Sequence, residues 1–156
     1  VKPEHAIESI LRKRFPRIHV LASTQGPSYE RLLIGKEHLI DAMQFLQQDP
    51  DTQFDMLVDI SAIHHIQSTE RFFEVFYLVR STRLRYQLGV SVNVLEVMAS
   101  LPTITPIYAG ANWLERELWD MFGVFVEGHP DLKRLLLFEE FNGHPLRKDY
   151  EEPLQS

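Results

Sequence analysis

Glu115, Glu117 and Asp120 crowd one short stretch of the chain, and seven histidines are spread along it, among them the adjacent His64-His65 and the Gly-His-Pro triplets at His129-Pro130 and His144-Pro145. Carboxylates at this density could hold a divalent metal or run acid–base chemistry, and imidazoles could complete a ligand set. The spacings speak against both. Di-metal helices pair a glutamate with a histidine three residues on, and zinc helices use His-Glu-x-x-His; neither pattern occurs. Glu115 and Glu117 are two residues apart, so they point to different sides of a helix. Capping and salt bridging are the roles these acids suit best. The Gly-His-Pro triplets read as rigid turns that aim an imidazole outward or at a backbone carbonyl.

Other chemistries find less support. Glycines stand singly at 26, 35, 89, 110, 123, 128 and 143, so no dinucleotide fingerprint or Walker loop forms, and there is no Gly-x-Ser-x-Gly elbow. The basic pairs Lys133-Arg134 and Arg147-Lys148 could clamp a phosphate or a carboxylate; on an acidic chain, acids of a partner protein are the better match. Sixteen basic against 22 acidic residues leave a formal charge of −6, which argues against nucleic acid or an anionic membrane as partner. With no cysteine among the 156 residues, disulfides, thiolate zinc sites and thiolate-held iron–sulfur clusters are excluded within them. No apolar run approaches the ~20 residues of a membrane helix; the longest spans Val75 to Val79. The sequence opens on Val1 with no secretory apolar region, and a removed leader is compatible with that opening.

The elements that must position these side chains follow from periodicity. Pro3 suits a first helical turn, with Ile7, Ile10, Leu11 and Phe15 at helical spacing up to Pro16. Ile18 to Ala22 and Glu30 to Ile34 read as short strands around the turn-rich residues Ser23 to Ser28. A second helix carries Leu39, Met43 and Leu46 on one side and stops at Asp49-Pro50. Three strands follow. In Asp55 to Ile63, the residues Met56, Val58, Ile60 and Ala62 share a face. Arg71 to Arg80 is apolar nearly throughout, as in a strand covered on both sides. Arg83 to Val92 alternates, with Leu84, Tyr86, Leu88, Val90 and Val92 inward and Arg83, Arg85, Gln87 and Ser91 outward, and Ser81-Thr82 is short enough for a tight hairpin. The sum predicts an α+β domain, an antiparallel β-meander with helices packed on one face.

After a break at Leu101 to Pro106 comes the charged helix. Asn112 is a good N-cap with Glu115 at capping-box spacing, Leu114, Leu118 and Met121 share one face, Trp113, Arg116, Glu117 and Asp120 share the next, and Gly123 is placed to end the helix in a left-handed turn. From residue 124 onward periodicity vanishes, yet ten sizeable apolar side chains from Phe125 to Tyr150 remain among the prolines. Residues 1–123 therefore read as the α+β domain and 124–156 as an extended, irregular C-terminal arm docking on a partner subunit, since long irregular segments are usually functional and apolar ones seek a second surface.

One resemblance is carried by these residues. Glu115-Arg116-Glu117-x-x-Asp120-Met121-Phe122, six residues, His129, three residues, then Lys133-x-Leu135-Leu136 resembles the signature of the thirty-kilodalton subunit of respiratory complex I, the proton-pumping NADH:quinone oxidoreductase. Ala111-Asn112-Trp113 before it and Gly143 to Tyr150 after it extend the likeness. The resemblance implies a structural subunit of the hydrophilic peripheral arm with no catalytic or cofactor-binding residues of its own, FMN and iron–sulfur clusters being expected in partner subunits. It implies packing of the C-terminal arm on the quinone-site subunit related to the large subunit of nickel–iron hydrogenases, alongside other peripheral-arm subunits. Membrane association would come only through the complex, at the cytoplasmic face of the bacterial inner membrane or the matrix side of the mitochondrial one. Arg116, Glu117 and Asp120 are expected to pin the arm, and Lys133, Arg134, Arg147 and Lys148 to meet partner acids. The acids around Tyr150, Asp149 and Glu151-Glu152, depart from some relatives. The alternatives are the equivalent subunit of a related membrane-bound hydrogenase or of a deazaflavin- or ferredoxin-linked oxidoreductase, and a free-standing metal enzyme using His129, His144 and the acidic helix.

Overall fold

A computed structural model describes residues 3–16, 20–25 and 29–153. Helix α1 (Pro3–Arg14) is followed by strands β1 (Val20–Gln25) and β2 (Glu30–Ile34), helix α2 (Leu39–Gln48), strands β3 (Met56–His65), β4 (Phe72–Ser81), β5 (Tyr86–Leu95) and β6 (Ser100–Pro102), helix α3 (Ala111–Phe122) and strand β7 (Phe125–Glu127). The expected strand from Ile18 begins outside the described residues, is seen from Val20 and runs on to Gln25, so Ser23 to Gln25, expected in the turn, pair with β2 as strand; the Gly26 to Ser28 part of the turn lies outside the described residues.

Five strands form one sheet in the order β1-β2-β5-β4-β3. The expected antiparallel meander is present as β3-β4-β5, but β2 lies parallel to β5, so the sheet is mixed. Parallel neighbours need a long crossover, and the segment containing α2, β3 and β4 supplies it. One face is continuous apolar surface: Leu32 and Ile34 of β2, Leu88, Val90 and Val92 of β5, Phe73, Val75, Tyr77 and Val79 of β4, Ile60 and Ala62 of β3. Ile7 and Leu11 of α1, Leu39, Met43 and Leu46 of α2, and Leu118 and Phe122 of α3 join this same core, so all three helices cover that face.

Three local readings are corrected. In β3 the register slips between Leu57 and Asp59, a bulge at Val58, which shifts the phase of alternation. Leu57, Ile60 and Ala62 turn to the core, whereas Met56 and Val58 are exposed, so the four residues expected on one face divide between two. Strand β4 is not covered on both sides: its outer side chains, Phe72, Glu74, Phe76 and Leu78, are half-buried. The link from β4 to β5 is a four-residue turn over 82–85, with Arg85 at φ 52°, and Asp55 anchors it by accepting bonds from the Thr82 amide and hydroxyl. Gly89 matters on the outer face: a Cβ there would stand 2.4 Å from the Phe76 ring, which crosses the sheet with the Arg31 guanidinium 4.8 Å from its centroid.

Candidate functional site, the clasp between the last helix and the arm

α3 packs against β3 at the sheet edge and ends at Gly123, φ 72°, whose amide bonds to the Trp119 carbonyl, the left-handed stop its sequence predicts. Its start differs from expectation. Gly110 is the N-cap, no side chain caps the end, and Asn112 lies inside the helix. Glu115 is instead buried and reaches sideways to the segment after β6, accepting bonds from the Ile104 amide at 2.7 Å and the Thr103 hydroxyl at 2.6 Å. Burial raises its pKa, against the lowering pull of those two bonds and of His129. Asn112 contributes its backbone carbonyl instead, which receives the His129 ring at 3.0 Å. His129 Nδ1 accepts the Asp131 amide, so Nε2 carries the proton, and the ring is fully enclosed.

An α-helix leaves its last four carbonyls without intrahelical partners. Here the arm takes them. Beyond the Gly123 bond to Trp119, the Asp120 carbonyl receives His144 Nδ1 at 3.0 Å, the Met121 carbonyl receives the Leu146 amide at 3.0 Å, and the Phe122 carbonyl receives Arg147 Nε at 2.6 Å. Both Gly-His-Pro imidazoles are therefore aimed at backbone carbonyls. Burial lowers the His144 pKa, and the cationic Arg147 and Arg134 add to that effect.

The carboxylate of Asp120 is the centre of the clasp. One oxygen accepts the backbone amides of Leu135, Leu136 and Leu137 at 3.1, 2.7 and 3.0 Å; the other accepts Arg134 Nη1 at 2.8 Å. Burial pushes its pKa up, but Arg134 and the three amides outweigh that and hold it below the ordinary carboxylate range. The second nitrogen of Arg134 donates to the carbonyls of Phe141 and Gly143. Arg116 adds bonds to the carbonyls of Lys133 and Arg134 and lies 4.9 Å from the centroid of Trp113, itself 61% exposed.

The charged residues thus divide differently from expectation. Arg116 and Asp120 hold the arm, but Glu117 is exposed and forms no hydrogen bond or ion pair with it among the described residues. Arg134 and Arg147 meet acceptors of their own chain, Arg147 also standing 5.1 Å over the Phe73 ring, and Lys133 pairs with Asp131 at 3.0 Å. Lys148 is exposed, its amide bonded to His64 Nδ1. Pro145 is half-buried beside its histidine, whereas Pro130 is exposed. A second fastening has no local signature at all: the buried His64 bonds Glu96 at 2.9 Å, and Arg71 joins that carboxylate to Asp149 of the arm. These four residues come from 64, 71, 96 and 149, and only folding brings them together. Val124 and Val126 are buried, and β7 pairs with β6, so the chain leaves the body only after Glu127.

Arg116, Asp120, His129, Arg134, His144 and Arg147 are each engaged by other groups of the chain, and no cluster of three or more His, Asp or Glu capable of holding a metal occurs among the described residues. No helix among them is long and apolar enough to cross a membrane. The geometry defines an α+β domain that closes its terminal helix with its own arm.

Comparison then places the chain. It belongs to the family described as respiratory-chain NADH dehydrogenase, 30 Kd subunit, which it matches over residues 32–155. It is 38% identical over 122 residues to the corresponding NADH-quinone oxidoreductase subunit of Trichlorobacter lovleyi, covering 78% of this chain and 73% of that one. It is 40% identical over 119 residues to the mitochondrial NADH dehydrogenase [ubiquinone] iron-sulfur protein 3 of Candida albicans, covering 76% of this chain but 42% of that one. Among solved structures, the trypsin-resistant fragment 1–134 of Nqo5 superposes with a TM-score of 0.62 at 28% identity, over 85% of this chain and all of the fragment. A chain of the membrane-bound sulfane sulfur reductase, an archaeal respiratory membrane complex, shares the fold with a TM-score of 0.81 at 20% identity, over 97% of this chain and 86% of that one.

Proposed function

We propose that the chain is a cofactor-free structural subunit of the hydrophilic arm of an NADH:quinone oxidoreductase. It braces the quinone-site subunit related to the nickel–iron hydrogenase large subunit, so that electron transfer from NADH to quinone, coupled to proton translocation, proceeds between cofactors held at fixed distances. FMN and the iron–sulfur clusters sit in partner subunits, and the chain reaches the membrane only through them, on the bacterial cytoplasmic or mitochondrial matrix side.

The observation that supports this is the orientation of the arm. Arg134, His144, Arg147 and the amides of Leu135, Leu136 and Leu137 turn inward to α3, while the side chains of Leu136, Phe138 and Leu146 are 62, 64 and 53% exposed. Completing their burial on a neighbour would contribute on the order of 1 kcal/mol each, and the clasp presents them without further ordering of the arm. The shared fold with a chain of the sulfane sulfur reductase motivates a second reading, the equivalent subunit of a related membrane-bound complex.

Affinity purification of the tagged chain from its own membranes tests the proposal. A flavoprotein and a hydrogenase-like subunit should co-purify, and the chain alone should contain neither flavin nor iron. Stoichiometric cofactor in the isolated chain, or its recovery as a solitary protein, contradicts the proposal; a nickel–iron subunit without an NADH-site subunit selects the second reading.

A further inference from the structure

We infer that the partner surface receiving the arm is apolar at its centre and basic around it, the opposite of what the arm's lysines and arginines suggest in sequence. The inference rests on the docking reading above and adds the chemistry of the partner. The arm's cations are largely spent within the chain: Arg134 on Asp120 and two carbonyls, Arg147 on the Phe122 carbonyl and the Phe73 ring, Lys133 on Asp131. Asp149 is likewise spent on Arg71.

What is left facing solvent is acidic. Glu139, Glu140, Glu151 and Glu152 are exposed and enter no ion pair among the described residues, against one such cation on the arm, Lys148. Glu139 and Glu140 directly follow the exposed Phe138, and Glu151 and Glu152 close the segment that carries Leu146. Exposed apolar groups bordered by uncompensated carboxylates are complementary to an apolar groove edged by lysine or arginine. An acidic surface would be repelled, as would an anionic membrane, and a second copy of this chain at net charge −6 is a poor electrostatic match.

The test uses the tagged chain in its assembled complex. Variants carry Glu139→Lys, Glu140→Lys, Glu151→Lys and Glu152→Lys together, the corresponding four Gln changes, or Leu136→Asp with Phe138→Asp, and thermal melting of each isolated chain confirms that it folds. Charge reversal should lower recovery of the partner by about tenfold or more at low salt, neutralisation by less, and added salt should narrow the gap between reversed and native chains. Recovery that is unchanged or improved on reversal overturns the inference. If reversal has no effect while the Asp variants lose the partner, the arm docks on a surface of other charge and only this inference falls. If neither set has an effect, the docking reading falls with it.

Discussion

Asp120 and Arg134 stand 2.8 Å apart at the junction of α3 and the arm, the carboxylate wholly buried and the guanidinium 16% exposed. Around this pair the chain turns back on the helix it has just left. Three amides, two carbonyls and both charges are satisfied at once. Such a network is stable only when complete, because removing one member leaves the others buried without partners.

Asp120→Ala should therefore cost about 3–5 kcal/mol of stability. Urea denaturation measures it, and amide exchange locates it: the amides of Leu135, Leu136 and Leu137 should lose protection before those of the sheet. A change below about 1 kcal/mol would show that water replaces the carboxylate.

Arg134→Lys keeps the charge but loses the fork that reaches Asp120, Phe141 and Gly143 together, and should cost about 1.5–3 kcal/mol in the isolated chain. Arginine and lysine performing equally in thermal melts would reduce the contact to simple charge pairing. The outcome also decides whether Arg134 acts on folding, as its internal bonds indicate, or chiefly on assembly, as its place in a basic pair suggests.

Two buried acids should give opposite pH responses. The Asp120 pKa is depressed on folding, so its stabilisation is complete above the ordinary aspartate range and is lost as pH falls through its folded value. The Glu115 pKa is raised, so between the ordinary glutamate value and its folded value the native state binds the extra proton, and stability rises as pH falls. Glu115→Gln can still accept from Ile104 and donate to the Thr103 oxygen; it should lose about 1 kcal/mol or less at neutral pH and abolish that rise. Glu115→Ala, which strands the Ile104 amide, should cost about 1–3 kcal/mol. A Gln variant with the native pH profile between mild acid and neutrality would remove Glu115 as the cause.

Gly123→Ala meets two penalties. The left-handed backbone disfavours a side chain, and a Cβ would stand 2.6 Å from the His144 ring and 2.9 Å from Arg147. A loss of more than the ~1 kcal/mol due to conformation alone is expected, with faster exchange at Leu146. A loss confined to that value would mean that the arm shifts freely.

Much of this was legible in sequence for physical reasons. Helical spacing placed α2 and the buried face of α3, and the left-handed preference of glycine placed the stop at Gly123. The bulge at Val58 was not legible, because one inserted residue reverses a strand's faces without leaving a mark in its composition. Asn112 failed as a cap because the helix already begins at Ala111, and Glu115 bonds donors outside the helix, at Thr103 and Ile104, rather than closing a capping box. Arg134 and Arg147 looked like outward charges, since no local spacing says that a folded arm will bring them over the carbonyls of a helix it has already left. The His64, Glu96, Arg71 and Asp149 fastening was hidden for the same reason.

Hydroxyl-radical footprinting of Leu136, Phe138 and Leu146 tests the docking of the arm most directly, with the chain alone compared with the chain in its complex. All three side chains should oxidise readily in the isolated chain and be strongly protected in the assembly, with Asp120 and Arg134 variants reducing that protection. Equal oxidation in both states would contradict the account, leaving the arm as a surface that no neighbour covers.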